Sequence, residues 1–288
     1  MFKKYFLFIA TVVVMLIYSI GVKDIYDNSN IYNNVTESAK AEVIYRDNIK
    51  GVEQPYPFLT SDIDINNDLE QYSHNNDKGK YIYDNINRLP FTQQKMLANN
   101  KDITEYIVGY LNNERVNFEY GETVTLRRKY PYYIQWDRRW AHDSLGNDDI
   151  AVGGCGPTSV AMAFSGLLND ETITPNVIAK IENEAGYYTK YGTSWSFFDY
   201  IANYYNIKTK RLTLNKDSLD KSLNSGNPVI MSVNPGKFTT VGHIVLIVGI
   251  DDNGQYIIND PNSLGKSLKS WTYEELREDM KALWEFSK

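Results

Sequence analysis

Cysteine occurs once in this 288-residue chain, in the stretch Gly153-Gly154-Cys155-Gly156-Pro157-Thr158-Ser159. Beyond it Val160, Ala161, Phe164, Leu167 and Leu168 recur at helical spacing, which sets the sulfur at a helix N-terminus. Unpaired backbone N–H groups and the positive end of the helix dipole favour a thiolate there, and a thiolate is a nucleophile at neutral pH. A cysteine serving only as a small buried hydrophobe needs neither flanking glycines nor a helix start. The nucleophile needs a base, and His243 opens the apolar run Gly242 to Ile250. Asp251-Asp252-Asn253-Gly254 is a turn signal, and the return strand ends in Asn259-Asp260-Pro261. Strand side chains alternate between faces, so an even connection puts Asp260 on the face of His243, while an odd one exchanges it for Asn259. Asn253-Gly254 favours an even connection, which makes Asp260 the expected orienting carboxylate; with a four-residue turn it lies diagonally across from the imidazole.

An acyl-transfer site also needs donors for the developing oxyanion. Gln135, among the aromatics of Tyr132 to Trp140, offers a side-chain amide that would act with the backbone N–H of Cys155. The expected chemistry is attack by Cys155 on an acyl carbon. His243 forms an ion pair with the thiolate and then protonates the leaving group, and Asp260 fixes the imidazole tautomer. Gly154 and Trp195 are the expected substrate contacts, Trp195 because it opens a helix just after a glycine-containing turn.

The surrounding elements read as helices first and strands afterwards, the order of an α+β domain. Thr174-Pro175 starts a helix with Val177, Ile178 and Ile181 on one face, and a further helix follows Ser194. Strands are expected at Lys208 to Leu214, Pro228 to Val233, Gly242 to Ile250 and Gln255 to Asp260, then a helix from Thr272 and a final edge strand at Trp284 to Phe286. The catalytic domain is placed at 125–288. Ahead of it, 81–124 reads as a small helical hairpin that packs on the domain or serves as an inhibitory pro-segment. Residues 23–80, rich in Asn, Asp and Ser, read as a polar tether. Tyr5 to Val22 is uncharged and apolar behind Lys3 and Lys4. It is long enough to be a transmembrane anchor with the rest of the chain extracytoplasmic, or else a cleaved signal peptide with small residues at Ser19 and Gly21.

Composition narrows the function classes. A net charge of −6 and a pI near 5.2 argue against nucleic acid as a partner. One cysteine and three histidines are too few for a zinc cluster, and Asp62-Ile63-Asp64-Ile65-Asn66 lacks the glycine and the bidentate glutamate of a calcium loop. No metal or cofactor is expected. Asp148-Asp149 and His142 read as solvated loop residues.

QWDRRW (Gln135 to Trp140), GGCGPTS (Gly153 to Ser159), YGTSW (Tyr191 to Trp195), Pro235 to His243 and NDPNS (Asn259 to Ser263) together resemble the papain-like cysteine peptidases of family 39, in particular their stand-alone exported branch. That family includes the domains that process bacteriocin leader peptides. The resemblance implies a papain-like fold, a nucleophile-bearing helix packed against an antiparallel sheet, with Cys155 as nucleophile, His243 as base, Asp260 as third member and Gln135 at the oxyanion hole. It implies a peptide or protein substrate, cell-wall peptide included. No Gly-x-x-x-x-Gly-Lys phosphate loop is present, so cleavage coupled to ATP-driven export is not the expected role. The same triad also suits acyl transfer to an amine, as in transglutaminase-like chemistry. A membrane-tethered binding module without turnover is the non-enzymatic alternative.

Overall fold

The structure, a computed structural model, describes residues 49–288. The expected anchor and the first part of the expected tether lie outside the described residues. Among the described residues no helix is long and apolar enough to cross a membrane.

Four helices come first: α1 (Asp62–Asn75), α2 (Asp77–Asp84), α3 (Phe91–Asn99) and α4 (Thr104–Leu111). The stretch read as a tether contains all of α1 and the start of α2, so that expectation fails beyond residue 61. The Asp62 to Asn66 stretch is the first turn of α1. The reason is local: Ser61 and Asn76 accept N–H groups at the two helix starts, while Ile65, Leu69 and Ile82 supply a narrow buried stripe. The chain before α1 is tied down by side chains. The Asp102 carboxylate accepts N–H bonds from Lys50, Gly51 and Val52 at 3.0–3.1 Å. Asn99 exchanges two hydrogen bonds with the backbone of Leu59, at 2.8 and 2.9 Å.

After short strands β1 (Ser144–Leu145) and β2 (Asp148–Asp149) come α5 (Ile150–Gly153), α6 (Cys155–Leu168) and α7 (Pro175–Glu184). A small hairpin, β3 (Tyr188–Thr189) and β4 (Gly192–Thr193), precedes α8 (Ser196–Tyr204). The rest builds the sheet: β5 (Lys208–Arg211), α9 (Lys216–Asn224), β6 (Val229–Val233), β7 (His243–Ile250), β8 (Tyr256–Asn259), α10 (Leu264–Leu268), β9 (Ser270–Trp271), α11 (Tyr273–Asp279) and β10 (Met280–Ser287). Its six strands run antiparallel in the order β5-β10-β6-β7-β8-β9. The last strand, expected at an edge, is therefore internal and pairs on both sides. Period-two alternation sorts the sheet between two cores. Ile230, Ile244, Leu246 and Phe286 join Val160 and Phe164 of α6. Met231, Val245, Ile247 and Leu283 join Leu219 of α9 and Leu276 of α11. The first core continues without a break into Leu97, Ile103, Tyr106 and Ile107 of the N-terminal region.

Candidate functional site

Cys155 is the first residue of α6, half-buried rather than sealed in the core. No side chain fits at any of the three glycines around it. A Cβ on Gly153 meets the Tyr188 hydroxyl at 1.9 Å, one on Gly154 meets the Ile150 carbonyl at 2.4 Å, and one on Gly156 meets the Thr193 Oγ1 at 2.1 Å. The glycines let α5, α6 and the β3-β4 hairpin close tightly behind the sulfur. Gly154 thus acts through backbone packing, and it lies outside the cavity lining.

His243 begins β7, paired with Val233. Its Nε2 is 2.8 Å from Asp260 Oδ1 in a buried pair, and Cys155 lines the same cavity, near enough for its sulfur to act on the ring. With Nε2 committed to the carboxylate, Nδ1 is left for the sulfur. Burial works against a charged ring here. The Asp260 charge and hydrogen bond, aided by the Cys155 sulfur, outweigh it and raise the imidazole to about 9. The ring therefore holds its proton through neutral pH. Asp260 is itself fixed: Oδ1 accepts the Asn262 N–H at 2.8 Å, and its carbonyl accepts the Tyr132 hydroxyl at 2.9 Å.

The register explains why Asp260, not Asn259, reaches the ring, but by a route other than the one expected. The connection from Ile250 to Tyr256 is odd, five residues, which alone would bring Asn259 to the imidazole face. One extra residue, Val248, bulges between the Ile247–Ile258 and Gly249–Ile257 pairs and restores the frame. Leu246 then faces Asn259, so one step further Asp260 lies opposite Val245, diagonal to His243. Asn259 turns away and accepts from Arg128 at 2.6 Å.

Gln135 is buried and lines the same cavity as Cys155 and His243. Its Nε2 donates one hydrogen to the Ala151 carbonyl at 2.8 Å, and its backbone N–H donates to the Pro261 carbonyl at 2.8 Å. Its Nε2 carries a second hydrogen, and the Cys155 N–H, at the helix start, belongs to the first turn whose N–H groups lack intrahelical acceptors. The rest of QWDRRW is scaffold. Asp137 and Arg139 form a fully buried ion pair at 2.6 Å, and Arg139 stacks over Trp140.

Other expected residues lie elsewhere. Trp195 is not part of the cavity lining; it packs edge-on against Trp284 at 5.4 Å, with the Arg211 guanidinium over its ring. The solvated reading of the acidic loop holds for exposed Asp148, but is corrected for Asp149 and for His142. Asp148 accepts the Tyr188 hydroxyl, while Asp149 caps α5 and accepts the Tyr106 hydroxyl. His142 stacks on Tyr106 at 5.1 Å, and burial together with Arg115 and Arg138 lowers its pKa to about 4.

The sulfur opens onto a cavity of about 400 Å³. Its floor is Gln135, Val152, Cys155, His243 and Asn262; one wall is the Phe238 to Gly242 loop, and the other comes from the N-terminal region. Lys266 ties the two walls together. Its ammonium donates to Gln54 Oε1 and to the Phe238 carbonyl, and lies 4.8 Å from the Phe58 ring centre. Burial lowers its pKa to about 8 against the pull of Asp260.

A cysteine at a helix start, sharing a cavity with a histidine that is bonded to a carboxylate at an antiparallel sheet, coincides with the region, residues 127–288, that matches the Peptidase_C39 like family. The chain belongs to that family. Membership points to a cysteine peptidase acting on peptide or protein. Among solved structures the chain is similar to the peptidase domain of Streptococcus ComA, a bi-functional ABC transporter involved in a quorum-sensing pathway. The likeness has 21% identity and a TM-score of 0.36, and covers 47% of this chain and 93% of that one. No curated protein matches. The C39-like region begins after α4, so the four N-terminal helices are additional to it.

Proposed function

We propose that the protein is an extracytoplasmic cysteine peptidase that cleaves peptide amide bonds through a thioester acyl-enzyme. The observation that carries this is the His243–Asp260 pair at 2.8 Å, which leaves Nδ1 available, with His243 and Cys155 lining one cavity. His243, protonated at neutral pH, pairs with the thiolate. Cys155 attacks the scissile carbonyl, the carbonyl oxygen takes up negative charge toward the Gln135 amide and the Cys155 N–H, and His243 protonates the departing amine. Water, deprotonated by the now neutral imidazole, then attacks the thioester, releasing the acid and restoring the thiolate beside a protonated His243. Asp260 holds the ring and balances its charge throughout. The extracytoplasmic location rests on the Tyr5 to Val22 run, as an anchor or a cleaved signal.

The test is turnover of a mixed peptide library by the full chain, with products read by mass spectrometry, beside Cys155→Ala. Cleavage that survives in the variant overturns the proposal. A glutamine peptide with added amine separates the acyl-transferase reading, which requires a crosslinked product. A binding module without turnover requires that a mild thiol electrophile leave Cys155 unlabelled.

A further inference from the structure

The cavity beside Cys155 is not made by the C39-like region alone. One face of α3, in the sequence Phe91, Thr92, Lys95, Met96, Asn99, turns into it, at the spacing that lines up side chains along a helix. Phe58, from the chain before α1, joins them, and Phe238 and Val241 come from the loop across. Phe91 and Val241 are 45% and 62% exposed although apolar, and both open onto this one space beside the nucleophile. The wall is fixed in place. Asp102 holds residues 50–52, Asn99 holds Leu59, Lys266 bridges Gln54 to Phe238, and Asn100 donates to the Asn262 carbonyl at 3.1 Å, two residues from Asp260. The N-terminal helices thus form a wall that leaves the sulfur reachable, not a plug over it.

Resting on the peptidase reading, we infer that residues 49–111 belong to the active site as a specificity wall, and that Phe58, Phe91, Met96, Phe238 and Val241 form a subsite for a large apolar side chain of the substrate. About 400 Å³ whose exposed lining is mostly apolar surface, with polar residues set among the aromatic and aliphatic ones, is the make-up of a ligand pocket, and holds such a side chain with room for adjoining backbone. Apart from His243 the lining carries one cation, Lys95, and no carboxylate. A residue flanking the apolar one is therefore favoured when acidic and disfavoured when basic.

The experiment uses the full chain and peptides of one sequence that vary at a single position among Phe, Leu, Ala and Gly, with Asp or Lys beside it. Two readouts are taken: kcat/KM of the active chain and Kd of the Cys155→Ala chain. The expected result is a preference for Phe or Leu over Ala of about tenfold or more. Phe58→Ala and the exposed-site variant Phe91→Ala each shrink that ratio severalfold, and Lys95→Glu reverses the Asp-over-Lys preference. An unchanged ratio in properly folded Phe91→Ala, or a rise in activity on every peptide when the wall is trimmed, overturns the inference, the second outcome by making the segment an occluding one. A chain that turns over nothing while its Kd values follow the predicted ratios removes the peptidase reading and leaves the subsite standing.

Discussion

The two walls of the cleft are held by different physics. On the sheet side, alternate strand residues are buried in two apolar cores, and the reacting groups sit where β7, β8 and α6 converge. On the helical side α3 and α4 join the first core through Leu97, Ile103, Tyr106 and Ile107, but the chain before α1 is fixed by carboxylate and amide side chains that bind backbone: Asp102 to residues 50–52 and Asn99 to Leu59, while Asn100 ties the wall to Asn262. A core built by area loses stability gradually as side chains are trimmed, whereas a polar clamp releases one segment when one group is removed. The chemistry is thus lodged in the part whose geometry is most broadly supported, and the segment that brings Phe58 to the proposed recognition surface is the part that single residues can loosen.

The largest expected effect separates these roles. Cys155→Ala lowers kcat by at least about a thousandfold while thermal unfolding stays cooperative and near the parent value. A variant that loses its fold instead would mean that the sulfur is part of the packing. Next, Asp260→Asn lowers kcat/KM by roughly tenfold or more and changes its pH profile. Because the folded imidazole is raised to about 9, the stability it contributes is complete below its ordinary value near 6.5 and is lost as pH rises toward 9. Activity falls with the same proton. Removing the carboxylate lets burial dominate, so the alkaline limb moves to lower pH, and an unmoved limb would break the assignment of Asp260.

On the other wall, Asp102→Ala frees the amides of Lys50, Gly51 and Val52, whose hydrogen exchange speeds up by about 10- to 100-fold, roughly the 1–3 kcal/mol of a lost charged acceptor. Amides of β6 and β7 stay as slow as before; equal loosening of both would erase the contrast between the walls. The smallest effect concerns Glu182 of α7, whose two carboxylate oxygens are buried without a hydrogen-bond partner. Burial pushes this carboxyl up to about 8. The folded state therefore binds its proton more tightly than the unfolded state, and stability falls as pH rises from the ordinary carboxylate range through 8. Glu182→Gln raises Tm by roughly a few degrees at pH 8 and by less at pH 5, as scanning calorimetry at the two values will report.

The same contrast explains which parts are legible in the chain. Helix α6 and strands β6 to β8 bury regular apolar patterns, so their periods stand out, and with them the positions of Cys155 and His243; Gln135 sits in a turn that no period marks and stands out only through the family resemblance. Helices α1 and α2 bury only Ile65, Leu69, Gly79 and Ile82 between them, and a run of Asn and Asp reads as solvated chain when some of those residues are in fact caps. His142 and Asp149 meet partners from α4, and Trp195 meets residues of β5 and β10, contacts set by the tertiary fold that no local pattern announces. The even turn that points to Asp260 in the sequence is, in the protein, an odd turn and a bulge.

That last arrangement behaves as a pair of compensating frameshifts. Deleting Val248 alone, or one turn residue alone, would rotate the far strand by half a period and present an amide to the imidazole in place of an acid; deleting one of each would return the acid on a shorter ribbon. In this chain the identity of the group behind His243 is a matter of counting, and length changes in that hairpin are tolerated only in matched pairs.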